Sequence, residues 1–152
     1  MCQLRDYKQG DEQHVFDLVK EVLSGYGIET NPEVTDKDIS DIKKHYIDNG
    51  GHFSVIEDGH FLIGSYGLFN INSEICELRK MYLKKEYRGK GLGKLMMDDA
   101  VKKAKALGYK KMVLETNSLL KEAIGLYQKY GFTDFTPDHL SDRCDAAMEI
   151  NL

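Results

Sequence analysis

Residues Glu86–Leu95 read "EYRGKGLGKL". Three glycines fall at alternate positions, Gly89, Gly91 and Gly93, with Arg88, Lys90 and Lys94 threaded between them. A strand-like run, "EICELRKMYL" (74–83), leads into this segment. Beyond it Leu92, Met96, Ala100, Ala104 and Leu107 recur at helical spacing as far as Gly108. The segment is therefore a strand-to-helix turn. The first N–H groups of a helix have no internal partner and lie at the positive end of its dipole. Glycine lets the main chain approach a ligand closely and adopt positive φ. Three cations nearby complete a cradle for a phosphate or pyrophosphate. A glycine-rich turn with solubilising charges is the plainer alternative. Two familiar phosphate loops do not match: Leu95 occupies the Ser/Thr position of a Walker A loop, and the third glycine of a dinucleotide fingerprint would fall on Lys94 or Met96.

Outward from the loop, "KKMVLET" (110–116) is the next strand. Glu74 to Glu115 thus forms a strand–helix–strand crossover with a locally parallel pair. Upstream, "HFSVIEDGHFLIGSYGLF" (52–69) is two strands joined by Asp58-Gly59, a tight-hairpin signal. Residues 2–8 form a short strand, and Asp11 caps a helix through Val15, Leu18, Val19 and Val22 that ends near Gly25 and Gly27. Thr35 or Asp36 caps a second helix through Ile39, Ile42 and Tyr46. Downstream, Leu119–Tyr130 is a helix stopped by Gly131, and "FTDF" and "AAMEINL" close as strands. The order is β-α-α-β-β-β-α-β-α-β-β. It implies an α/β chain of mixed α+β character: a central, mostly antiparallel sheet of six to seven strands flanked by about four helices. No repeat or linker divides residues 1–152, so one domain is expected.

Composition sets the class. The 152 residues suffice for a core without staples, and 41% hydrophobic with 30% charged residues suits a soluble globular protein. No apolar run reaches 18 residues and "MCQLRDYKQG" lacks an apolar leader core, so neither a membrane span nor a secretory signal is expected. Cys2, Cys76 and Cys144 are widely spaced, which points to free thiols and a cytoplasmic setting. The five histidines form no ligand-spaced pair, so no metal is expected. Charge is segregated. Residues 1–78 carry 6 basic and 15 acidic side chains, residues 79–111 carry 12 and 3, and residues 112–152 carry 3 and 7. The middle segment is suited to an anion and the flanks to a cation. Lys102, Lys103, Lys105, Lys110 and Lys111 are read as a solvated helix face. A nucleic-acid binder is disfavoured: the basic segment offers only Tyr82, Tyr87 and Tyr109 for stacking, and the chain is acidic overall.

"MYLKKEYRGKGLGKLMMDDA" (81–100) resembles the R/Q-x-x-G-x-G/A segment of the GCN5-related N-acetyltransferase (GNAT) family, through Arg88-Gly89-Lys90-Gly91-Leu92-Gly93. "AIGLYQKYGF" (123–132) is similar to that family's A-x-x-L-Y-x-x-x-G-F hallmark. The element order agrees. The resemblance implies acetyl-CoA as co-substrate, with its pyrophosphate on the amides of Arg88 through Lys94 and its pantetheine arm along Met81, Tyr82 and Leu83. It also implies a β-bulge that splays the two central strands. Amine acetylation needs an alkylammonium deprotonated and a thiolate protonated. By the resemblance Tyr127 is the general acid, against the alternative of a core tyrosine. Glu77, eleven positions before Arg88, resembles the strand glutamate that receives the substrate proton in histone-acetylating relatives; the alternative is a carboxylate paired with Arg79 or Lys80. Leu120 departs from the family's asparagine at that position, and Asn117 either replaces that coenzyme contact or caps the helix, with the cap favoured.

Specificity is expected from 29–41, "ETNPEVTDKDISD", read as a solvated acidic helix start with attraction of an amine-bearing substrate as the alternative, and from 136–145, "TPDHLSDRCD". There Arg143 is either an ion-paired hinge or a carboxylate-binding residue, and Cys144 a small buried filler. The expected activity is acetyl transfer to a primary amine of a small molecule or a protein, in a ternary complex. A non-catalytic acyl-CoA-binding module is the alternative. Homodimers are common among such folds, but the sequence specifies no interface.

Overall fold

The computed structural model describes residues 1–152. In chain order the elements are β1 (Cys2–Asp6), α1 (Glu12–Ser24), β2 (His52–Asp58), β3 (Phe61–Asn70), β4 (Ile75–Leu83), α2 (Leu92–Ala106), β5 (Lys111–Thr116), α3 (Lys121–Tyr130), β6 (Thr133–Asp134) and β7 (Ala146–Asn151). The seven strands form one sheet in the order β1-β2-β3-β4-β5-β7-β6. Only β4 and β5 are parallel, as the α2 crossover between them requires; every other pair is antiparallel. One face of the sheet packs Leu78, Met112 and Leu114 against Met96, Met97 and Ala100 of α2. The other packs Phe53 and Val55 against Val15, Val19 and Leu23 of α1. No helix is long and apolar enough to cross a membrane.

Local chemistry departs from expectation where acidic side chains turn inward. The helix expected through Ile39, Ile42 and Tyr46 is instead a 3₁₀ turn, Lys37–Asp41, followed by a π turn, Lys43–Ile47. Its three apolar residues are buried as anticipated. Asp36 stands at its N-terminus without capping it, because its carboxylate accepts the Asn31 N–H at 2.8 Å and the Arg143 guanidinium. Asp11 likewise precedes α1 without a side-chain cap: it accepts two bonds from Arg5, at 2.9 and 3.0 Å, and so ties β1 to α1. Leu107 lies beyond α2's last turn and is 47% exposed, outside the buried stripe. Gly131 adopts φ +113° and lets Phe132 N–H reach Tyr127 O at 3.0 Å, the left-handed stop the sequence calls for.

The feature that positions the site is a bulge in β4. Opposite β3, Arg79 pairs with Gly67 and Tyr82 with Ser65, so Lys80 and Met81 share the place of one residue. Lys80 has φ +53°, the only positive φ outside glycine. That conformation costs a lysine about 1 kcal/mol or more. The Ser65 hydroxyl offsets some of it by donating to Lys80 O at 2.7 Å. The extra residue breaks strand alternation. Cys76 and Leu78, then Met81, face α2. Glu77, Arg79, Lys80 and Tyr82 all line the opposite side.

Candidate active site

β4 and β5 pair over three positions only, from Ile75–Lys111 to Glu77–Val113. Past Glu77 they diverge, while β5 stays paired with β7 as far as Thr116. The edge of β4 from Leu78 to Leu83 that faces β5 is therefore unpaired, and two cavities open along the cleft.

The first, a groove of about 550 Å³, runs along Met81, Tyr82 and Leu83 to the glycine loop. Gly89 and Gly91 have φ +76° and +84°, and Gly91 stands at the start of α2. Arg88 N–H donates to Lys85 O, so the free donors begin one residue later than the sequence implies. From Gly89 through Leu92 to Lys94 no main-chain N–H finds an acceptor in the protein; the next, of Leu95, donates to Gly91 O at 3.0 Å. Six successive donors at a helix start form a site for anionic oxygen. The basic side chains have partners already. Arg88 donates to Leu83 O at 3.2 Å and to the Tyr26 hydroxyl at 2.9 Å, Lys94 pairs with Asp98 at 2.8 Å, and Lys90 lies 5.5 Å from the centre of the Tyr87 ring. Tyr26 in turn donates to Glu122 at 2.6 Å, so the turn after α1 and the first turn of α3 meet across the groove.

The second cavity, of about 430 Å³, lies on the α1 side of the cleft. Its wall is an ion network. Arg143 binds Asp36 at 2.5 and 2.7 Å. Lys80 Nζ donates to Thr35 O at 3.0 Å and lies 3.4 Å from Asp36 and 3.3 Å from Asp38. Asp38 also accepts the Tyr46 hydroxyl, while its Oδ1 has no hydrogen-bond donor. The acidic segment 29–41 is thus not a solvated helix start: Asp36 and Asp38 are buried. Arg143 is ion-paired, with a residue 107 positions away and not with its neighbours. Cys144 is a half-buried part of the cavity wall and not a core filler, and burial raises its thiol.

The two cavities share Met81, Tyr82, Leu120 and Tyr127. Tyr127 is 5% exposed, and burial, then the neighbouring Tyr82 and Cys144, drive its phenol well above the usual range; no hydrogen bond fixes its hydroxyl. Tyr82 is pushed up to about 12, chiefly by burial. Glu77 is 7% exposed and lines the second cavity. It is bonded to the Arg79 guanidinium, which stacks 3.7 Å from the Phe69 ring centre; Lys80 is not its partner. Burial outweighs Arg79 and leaves the Glu77 carboxyl above the ordinary range. Asn117 faces the second cavity, not the groove: it accepts Leu119 N–H and donates to Arg143 O, both at 2.9 Å, and so shapes the turn before α3.

Tyr26, Glu122, Glu115 and the buried role of Lys80 escape sequence reading. Tyr26 stands between two glycines at a helix end, which is a weak signal, and nothing local marks Lys80 as the site of a bulge.

Comparison with known proteins agrees with this architecture. The model of the acetyltransferase (GNAT) family matches residues 16–132. The uncharacterized N-acetyltransferase YjgM of Escherichia coli (strain K12) is 33% identical over 127 residues, spanning 80% of this chain and 76% of that protein. The uncharacterized N-acetyltransferase C1271.07c of Schizosaccharomyces pombe is 29% identical over 122 residues, spanning 79% and 75%. Among solved structures, an acetyltransferase of the GNAT family from Staphylococcus aureus Mu50 superposes with a TM-score of 0.92 at 19% identity, over 99% of each chain. A GNAT family acetyltransferase from Elizabethkingia anophelis with acetyl-CoA bound gives 0.70 at 20% identity, over 99% of this chain and 98% of that one. At such identities these structures speak to the fold.

Proposed function

Because the chain belongs to the acetyltransferase (GNAT) family, we propose that residues 1–152 are one catalytic domain that moves an acetyl group from acetyl-CoA directly to a primary amine, with both substrates bound together. The observation that carries this reading is the junction of the two cavities at Tyr127. One side offers main-chain donors from Gly89 to Lys94 for a diphosphate and the unpaired edge of β4 at Met81–Leu83 for an amide-bearing arm. That edge accepts an extended ligand as it would an added strand. The other side offers Glu77 to a cationic amine.

Acetyl-CoA supplies the activated acyl group. Glu77 takes one proton from the alkylammonium, and its raised pKa suits it to do so near neutrality. The freed nitrogen forms the C–N bond as the C–S bond breaks. Tyr127 gives its proton to the departing sulfur, and its phenolate recovers one from the attacking nitrogen, which leaves a neutral amide and a neutral thiol. Burial keeps the phenol protonated until then, and it raises a thiolate confined in the same place as well.

The test is thiol release from acetyl-CoA over a panel of amines. Turnover with at least one amine is expected, and Glu77→Gln should lower kcat/KM about tenfold or more and flatten its acidic limb. Coenzyme binding without turnover on any amine would favour an acyl-CoA-binding module instead.

A further inference from the structure

The charges around the second cavity do not balance. Its lysine and arginine side chains are already matched within the protein: Arg79 by Glu77, Lys80 by Asp36 and Asp38, and Arg143 by Asp36, with His139 as the one further basic group on its wall. Two more carboxylates line the same cavity, Glu115 and Asp142, and neither has a cationic partner. Their placement follows from the sheet. Val113 pairs with Glu77 across β4–β5, and Glu115, two residues on, shares that face where β4 has already turned away. The Glu115 carboxylate is held there by the Ser141 N–H at 2.9 Å, and its charge adds to the upward shift of Glu77. Asp142 follows Ser141 at the exposed rim.

A second observation marks this as a ligand site. Tyr127 is more than nine-tenths buried, lines the same cavity and has no partner for its hydroxyl. That hydroxyl opens on the cavity and is free to meet a ligand atom there.

Resting on the acetyl-transfer reading above, we infer that the acceptor is a small aliphatic diamine or polyamine, one nitrogen delivered to Glu77 and a second, protonated nitrogen held by Glu115 and Asp142. An amino acid is disfavoured on two counts. Its carboxylate would face these two anions, and each lysine and arginine lining the cavity is bound to a carboxylate of the protein. The second nitrogen keeps its proton throughout and takes no part in bond making.

The experiment is thiol release from acetyl-CoA with diamines three to six carbons long, spermidine, monoamines of matched length and the matched terminal amino acids. At least one diamine or polyamine should exceed its monoamine in kcat/KM by about tenfold, the scale of one or two partly exposed ion pairs. The amino acids should fall below both. In Glu115→Gln and Asp142→Asn the diamine-to-monoamine ratio should contract towards unity, with Tm and coenzyme Kd measured alongside. Glutamine at 115 keeps an acceptor for Ser141 N–H, and Asp142 is exposed, so neither change threatens the fold. Equal rates across the series, a preference for amino acids, or a ratio untouched by both substitutions would overturn the inference while leaving the transferase reading in place. Absence of thiol release from every compound, monoamines included, would overturn both.

Discussion

The two cavities that meet at Tyr127 are made of different material. The groove presents main chain: unshared N–H groups from Gly89 to Lys94 and the open edge of β4. The second cavity presents side chains drawn from remote parts of the chain, with Asp36, Lys80 and Arg143 locked in one ion network. Main-chain recognition tolerates most side-chain changes that spare its glycines. A network of buried ions does not, because removing one member strands the charge of another. Substitutions are therefore absorbed along the groove and felt at once in the second cavity.

The strongest test of this contrast is Asp36→Ala. It leaves Lys80 and Arg143 without their shared carboxylate and should cost about 3–5 kcal/mol in urea unfolding. A loss below about 1 kcal/mol would mean that water, not Asp36, satisfies those cations. The pH dependence has a definite sign. Burial pushes the Asp36 carboxyl up, but hydrogen bonds from Arg143 and Asn31 N–H and the charges of Lys80 and Arg143 outweigh it and hold it below 3.8. A depressed carboxyl stabilises the fold above its unfolded value and loses that contribution as pH falls through the folded one. Tm should therefore fall as pH drops below 3.8, and less steeply in Asp36→Ala.

Next in size is Tyr127→Phe, at the boundary between the cavities. It removes one oxygen and keeps the ring packed against Phe132, 5.7 Å away between centres. Turnover should fall about 100-fold, roughly 2.7 kcal/mol, with coenzyme Kd nearly unchanged. Unchanged turnover would make Tyr127 a packing residue shared by two cavities and nothing more.

Much of the groove was legible because its signals are local. Glycine spacing, helix periodicity and the Asp58-Gly59 turn each act within a few residues, and they account for the element order and the anion-binding loop. The second cavity was not legible, because its partners lie 107 residues apart in Asp36 and Arg143 and 45 apart in Thr35 and Lys80. Asp11 and Asp36 show the same limit in small: each occupies a capping position, and each is claimed by an arginine outside its helix, Arg5 six residues before Asp11 and Arg143 107 residues beyond Asp36. Asn117 carries a signal that fits two roles, and only the fold shows that it faces the second cavity.

The smallest expected effect concerns Gly91. An added Cβ there meets nothing within 4 Å, so Gly91→Ala tests conformation alone. At φ +84° alanine should cost about 1 kcal/mol in unfolding, and any re-aiming of the loop donors should weaken coenzyme binding a few-fold in calorimetry. No change in either would shift weight from the main chain to Arg88 and Lys94.

The doubled position at Lys80 imposes a counting rule on β4. Odd-numbered residues face α1 before it and even-numbered residues after it, as Glu77 and Tyr82 illustrate. Had the same residues paired without the bulge, plain alternation would transpose Met81 and Tyr82, sending a thioether into the cleft and a phenol into the apolar layer beneath α2. In this strand the conformation of one residue sets the direction of every side chain that follows it.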